Sequence, residues 1–258
     1  RPDGKFSLVS HLFPETLIML KRRQVLLAAG ASISSLPFPA FAQTAGSSLK
    51  GTPIENTKLT HLTDQRDAPV VFYTPKVDPQ AVLEIFKAVG LPVQGKVGLK
   101  VVFGNNRDRA KMIDPDLLKP IADELRATLI ESNYMDSARS DATTHLSTAK
   151  ELGYDRVAPI DILDADREIV IPVRNGYHLK EFITGSHLAN YDTLVSIVRF
   201  KGHNLQRYGG SMKNLSICLG TARGACQIHS AGEVTDYYRP SSPKETSESM
   251  ADAASAAL

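Results

Sequence analysis

Three side chains able to hold a metal, move a proton or bind an anion fall close together: His203, Lys213 and His229, spaced ten and sixteen residues apart. Neutral imidazole is a common metal ligand and titrates near physiological pH, so His203 and His229 suit metal or proton work. A lysine binds phosphate or carboxylate as a cation, and becomes a nucleophile when burial lowers its pKa. Gly209 and Gly210 stand just before Lys213, where bare backbone can approach a ligand closely. Lys201 and Asn214 flank the same stretch. Each residue also has an ordinary reading: a loop histidine bonded to backbone, a solvated helix-face lysine, a surface-loop histidine. Arg139, Asp141 and His145 offer a second polar cluster, and Asn105, Asn106 and Arg107 follow a strand end. Cys218 and Cys226 are separated by seven residues around Gly220, unlike the closely spaced thiols of ferredoxins, whose clusters take four thiolates. Buried thiols, a disulfide, or a site beside His229 are the three readings open to them.

These residues need a scaffold, and the chain alternates apolar runs with helical patterns. Asp78-Pro79 predicts a helix start, with Asp as cap and Gly90 as stop, and Val82, Leu83, Ile85, Phe86 and Val89 fit one face. Val97 to Phe103 reads as a strand, Asp114-Pro115 opens a second helix to about Leu129, and Leu129 to Asn133 reads as a strand. Thr143 to Leu152 reads as a helix stopped by Gly153, and Val157 to Leu163 as another apolar run. Arg174-Asn175-Gly176 between Ile169–Val173 and Tyr177–Ile183 is a hairpin signal. Leu194 to Phe200 reads as a buried strand, Ser211 to Leu219 as a helix, and a last helix starts near Ser247. The expected fold is α/β: a mostly parallel sheet with helices on both faces and an inserted β-hairpin. Ligands of such sheets bind beyond the carboxyl ends of the strands, where Lys201 and His203 fall.

The chain has 258 residues, a formal charge of +2, 42% apolar and 22% charged residues, enough for a real core and ordinary for a globular protein. Near-neutral charge gives no electrostatic case for nucleic acid. Lys21, Arg22 and Arg23 precede a short apolar stretch, Val25 to Ile33, and Ala40-Phe41-Ala42 offers a cleavage site. Residues 19–42 therefore read as a secretory signal of the twin-arginine type, too short to span a membrane, with a periplasmic destination. Residues 1–18 read as upstream of the true start, 43–67 as a polar linker, and 68–258 as a single α/β domain.

Phe200-Lys201-Gly202-His203, Gly209-Gly210-x-x-Lys213-Asn214-Leu215 and His229-Ser230 resemble the family catalogued as domain of unknown function 362. Lys100-Val101-Val102-Phe103-Gly104 resembles its first strand. Arg139-Ser140 with His145-Leu146, Ala149 and Gly153 resembles its Arg…His-Leu…Ala…Gly helix. The resemblance covers residues 68 to 258. It implies an iron–sulfur-centre protein, with a cluster whose ligands are not in this chain and lie beyond Leu258 in a longer gene. An electron-transfer partner would follow. Family members often carry His where Val102 and Arg199 stand here.

The 203/213/229 spacing with Gly-Gly before the lysine is also similar to the nickel-pincer lactate racemases. That likeness implies Lys213 as a covalent anchor, His229 as a nickel ligand and His203 as a general acid/base. The resulting expectation is an exported metal- or iron–sulfur-associated protein with a redox or related enzymatic role. Its alternatives are a hydroxy-acid racemase or epimerase, and a non-catalytic module binding a small anion. His203 and Lys213 are the expected catalytic residues, and His203 and His229 the expected metal ligands. Lys201, Gly209, Gly210, Lys213, Asn214, Arg139 and His145 are expected to line a cofactor.

Overall fold

Asp-Pro starts and left-handed stops set the helices that cover the sheet. A computed structural model describes residues 72–104, 112–203 and 207–258, together with the backbone of 24–29. Helix α1 (Pro79–Val89) begins where the Asp78 carboxylate accepts from the Ala81 N–H, and ends at Gly90 with φ 65°. Helix α2 (Pro115–Leu125) repeats the device with Asp114 and ends at Arg126 with φ 47°. Helix α3 (Ala142–Glu151) is capped by Asp141.

The strands of the main sheet are β1 (Gln24–Ala29), β2 (Val97–Lys100), β3 (Thr128–Glu131), β4 (Ile160–Ile162) and β7 (Thr193–Val198). Between the last two lie β5 (Glu168–Pro172) and β6 (Glu181–Gly185), which pair antiparallel as a separate hairpin. The sheet order is β1-β7-β2-β3-β4 and every neighbouring pair is parallel. Of the segment read as an export signal, only the backbone of Gln24–Ala29 is described, and it lies along β7 as an edge strand.

Strand periodicity sorts side chains onto two cores. Leu99, Leu129, Val195 and Ile197 join Leu83, Phe86, Leu118, Ile121 and Ala149 from α1, α2 and α3. Ile130 and Leu194 join the other core, with Leu215, Ile217, Ala225, Ile228, Met250 and Ala253. That second face is covered by α4 (Ser211–Asn214), α5 (Ala222–His229) and α6 (Pro243–Ala257), which follow a short hairpin of β8 (Lys201–His203) and β9 (Arg207–Gly209). The chain runs outward from β2 through β3 to β4, then returns to β2's other side as β7, and the covering helices change face with it. The β2/β7 boundary is therefore the switch point of the sheet, where a crevice opens beyond the strand ends.

The structure departs from the sequence reading in several places. Strand β2 stops at Lys100, not Phe103, because the Phe103 N–H donates to the Glu131 side chain (2.7 Å) instead of to a neighbouring strand. Helix α2 ends at Leu125, so Leu129 belongs wholly to β3. The inserted hairpin's second strand starts at Glu181, not Tyr177, because the N–H groups of Tyr177, His178 and Leu179 all donate to the Asp252 carboxylate of α6. The expected helix from Ser211 to Leu219 lasts only to Asn214; a turn follows, with Cys218 N–H reaching back to the Lys213 carbonyl. Lys201 and His203 lie on a hairpin that the sequence reading did not anticipate. The last helix starts at Pro243, four residues before Ser247, with a capping box between Ser242 and Glu245.

Candidate functional site: a cationic cleft at the switch point

Where β2, β3 and β7 end, a cleft of about 590 Å³ opens, within the range of small-molecule sites. Val102 and Gly104 beyond β2, Glu131 and Ser132 at the end of β3, and Val198 and Arg199 at the end of β7 form its base. The hairpin supplies Lys201, Gly202, His203, Gly209 and Gly210, and the turn after it supplies Lys213, Asn214 and Cys218. Arg139, Tyr134 and Ile113 complete the wall. Among the described residues, Arg139, Arg199, Lys201 and Lys213 thus line the cleft with a single carboxylate, Glu131, a balance that favours anions.

At its centre Lys213 Nζ lies 2.6 Å from His203 Nε2. Desolvation, then the charge of Lys213, then that of Lys201, pushes the His203 pKa below its ordinary value. Desolvation likewise lowers Lys213, against an opposing pull from Cys218, with Lys201 and Arg139 pushing the same way as burial. Two groups in contact, each disfavoured as a cation, hold one proton more readily than two.

The wall behind the pair is a fixed ionic network. Glu131 is 1% exposed; its Oε2 accepts from Phe103 N–H and lies 3.3 Å from His145 Nε2, and its Oε1 accepts from Arg139 Nη1 at 3.2 Å. Burial alone would raise its pKa, but Lys100, the His145 hydrogen bond and Arg139 outweigh it and hold the carboxyl at about 2. Arg139 also binds Asp136 through Nε and Nη2 and lies over the Tyr134 ring, 4.9 Å from its centre. Its guanidinium is locked, with donors to spare for a bidentate anion.

Most of the expected site residues meet here: Lys201, His203, Gly209, Gly210, Lys213, Asn214 and Arg139 all line the cleft. His145 does not; it is fully buried, with Nδ1 3.2 Å from the Asn133 side chain and Nε2 on Glu131. Its part is to hold Glu131, not to touch a ligand. Asp141 caps α3. His229, expected in a polar turn, is the last residue of α5, 2% exposed, with its ring edge-on to Tyr238 at 4.9 Å. It is not among the cleft-lining residues, yet burial and then the charges of Lys213 and His203 push it down to about 4. Among the described residues its Nδ1 has no hydrogen-bond partner. Val102 and Arg199 both line the cleft. Asn105, Asn106 and Arg107 lie outside the described residues.

Glu131, Tyr134 and Ser132 are not singled out by the sequence, and Lys100 enters it only as part of a strand motif. A signal exists for two of them: Lys100 is a charge within the apolar run Val97 to Phe103, and Glu131 a charge at the end of one. A Cβ on Gly209 would meet no atom closer than 3.8 Å and one on Gly210 none closer than 3.5 Å, so packing does not require these glycines. What they leave open is the cleft.

Cys218 and Cys226 are free thiols, and Cys226 Sγ lies 3.2 Å from Met135 Sδ. Two thiols cannot supply the four that an iron–sulfur cluster takes, so the described chain does not fit that group. Among the described residues, no three His, Cys, Asp or Glu side chains converge as a metal site. No described helix is long and apolar enough to cross a membrane.

A parallel sheet covered by helices on both faces, with a basic crevice at its switch point, defines an α/β fold. Residues 97–257 match the model of a domain of unknown function (DUF362), and the chain belongs to that family. No curated protein and no solved structure matches it.

Proposed function

We propose that the protein binds a small anionic molecule, a carboxylate or phosphate, in the switch-point cleft and moves a proton on it with Lys213 and His203. The 2.6 Å contact between these two side chains, beneath Arg139, Arg199 and Lys201, is the observation that carries this reading. An anion entering the cleft meets one locked donor, the Arg139 guanidinium, that needs no reorganisation. Lys213 as a neutral amine takes the proton, and His203 returns or relays it. The test has two parts. Titration with inorganic phosphate and with lactate at low salt, followed by heteronuclear NMR, should give saturable shifts at Lys213, His203 and Arg139. Lactate incubated in D2O should gain deuterium at its α-carbon with wild type and not with His203→Gln. Absence of saturable binding by either anion overturns the proposal; binding without exchange leaves only the anion module.

One observation favours a second reading, a metal-assisted site: the partnerless, buried Nδ1 of His229 within electrostatic reach of Lys213 and His203. Metal analysis of protein from a native-like host tests it, and a metal-free folded product counts against it. Export by the twin-arginine route belongs to the same proposal, supported by Arg22-Arg23 and the apolar stretch behind them. Cleavage after Ala42 would remove the β1 strand, so N-terminal sequencing of the mature protein decides between a signal and a fifth strand.

A further inference from the structure

Behind the cleft lies a polar assembly on the sheet face that also carries Ile130 and Leu194. Lys100 is fully buried, yet it has no carboxylate in hydrogen-bond contact among its described partners. Its Nζ donates to the Val101 carbonyl at 2.8 Å and to Asn214 Oδ1 at 3.1 Å. The Asn214 amide closes the ring: Nδ2 donates to the Lys100 carbonyl at 3.0 Å and to Ser196 Oγ at 2.9 Å. Lys100 belongs to β2 and Ser196 to β7, the two strands that border the switch point, and Lys100 pairs with Ser196 in the sheet register. One side-chain amide thus ties a four-residue helix to both strands.

A buried ammonium is costly, and an apolar side chain of similar volume would serve the core as well or better. Packing therefore does not account for Lys100. What the assembly holds is the residue next to Asn214, Lys213, on a helix too short to fix its own geometry. That segment is held as well by backbone bonds, from Asn214 N–H to Gly210, Leu215 N–H to Ser211, and Ser216 and Cys218 N–H to Lys213, and by Leu215 and Ile217 in the second core, but none of these reaches the two strands at the switch point through a side-chain hydrogen bond.

We propose that Lys100 and Asn214 act as one positioning unit that holds Lys213 against His203. Neither residue is catalytic in this role: Lys100 works through Asn214, and Asn214 through the helix. The inference deepens the proposed function, but its test does not depend on any ligand being found.

The readout is the side-chain ¹⁵N shift of His203 Nε2, which reports the hydrogen bond to Lys213. Lys213→Met supplies the reference shift for a broken contact. Asn214→Leu and Lys100→Met should move the His203 signal most of the way to that reference although Lys213 is still present. The double variant should move it no further than either single one, because both changes release the same tether. Ser196→Ala, which leaves three bonds of the ring in place, should give a partial shift with the fold intact. Loss of thermal stability with an unchanged His203 shift in Asn214→Leu and Lys100→Met would reduce the unit to a core element and overturn the proposal. Should those two variants fail to fold, an unchanged shift in Ser196→Ala overturns it equally. Failure of phosphate and lactate to bind leaves this result standing, so the two claims are separable.

Discussion

Lys213 Nζ stands 2.6 Å from His203 Nε2, and Lys201 adds a second cation that lowers the pKa of both. The contact ties ligand binding to pH. Protonated, the pair adds positive charge to a cleft already lined by Arg139, Arg199 and Lys201. As pH rises through the lowered pKa of Lys213 that charge is lost, so affinity for sulfate, an anion with no proton to lose in this range, should fall on the alkaline side. Lys213→Met should weaken sulfate binding by about tenfold or more, the value of one charge-assisted hydrogen bond, and flatten the pH dependence. Calorimetric titration between pH 6 and pH 9 at constant low ionic strength checks both. Affinity independent of pH in the wild type would show that Lys213 does not meet the anion.

His229 predicts a loss of stability in mild acid. Its pKa falls from 6.5 in the unfolded chain to about 4 in the fold, chiefly through burial. Below pH 6.5 the unfolded chain takes up a proton that the native one refuses until about pH 4, so acid favours unfolding over that window. Stability is complete above it and declines as pH drops. His229→Phe keeps a ring against Tyr238 and has nothing to titrate, so the decline between pH 6.5 and pH 4 should be reduced. His203, lowered in the same direction, contributes a remaining slope of the same sign. Urea melts at half-unit pH steps measure the difference.

Glu131 is the joint of the ionic wall, and its removal should be severe. Its carboxylate serves Phe103 N–H, Arg139 and His145, all from a site 1% exposed. Glu131→Gln keeps the size but removes the carboxylate nearest Lys100 and one of the two that balance Arg139, which keeps Asp136. Breaking one partner of a buried ionic set costs about 3–5 kcal/mol, and urea denaturation at pH 7 should show a loss of that order. The single change Arg139→Met should cost less in stability, since Glu131 retains Phe103 and His145, but it should remove a locked donor from the anion. Equal stability of Glu131→Gln and wild type would mean that the network is not formed in solution.

Much of this architecture was legible because it is written in local chemistry. Asp78-Pro79 and Asp114-Pro115 mark helix starts whose caps form as read, and the run from Thr193 to Val198 is buried at every position, as a central parallel strand requires. The meeting of Lys201, His203, Gly209, Gly210, Lys213 and Asn214 followed from their nearness in sequence after that strand. What the sequence hid is long-range. Glu131 meets Phe103, 28 residues away, and Asn214 meets Lys100, 114 residues away, and no periodicity announces such pairings. The same holds for Asp252, whose carboxylate gathers the N–H groups of Tyr177, His178 and Leu179 and so shortens the hairpin. His229 was misplaced because a polar flank, His-Ser-Ala-Gly, reads as surface, whereas the helix end that carries it is buried beneath the segment bearing Tyr238.

The two thiols should behave differently, and the difference reports on the cleft. Cys218 is partly exposed and lines the cavity beside Lys213 and Arg139, whereas Cys226 is buried on α5 against Met135. Burial is also the first cause that raises the Cys226 pKa, which keeps it as an unreactive thiol near neutrality. In native protein at pH 8, a disulfide reagent such as Ellman's should titrate one thiol quickly, and Cys218→Ser should remove that phase. Cys226 should react only after unfolding in urea. Phosphate at saturating concentration should slow the Cys218 phase by several-fold, because ligand and reagent compete for the same cationic wall. Oxidised protein in which neither thiol reacts until reduction would show that the two are paired, and would require the turn from Leu215 to Thr221 to be rebuilt.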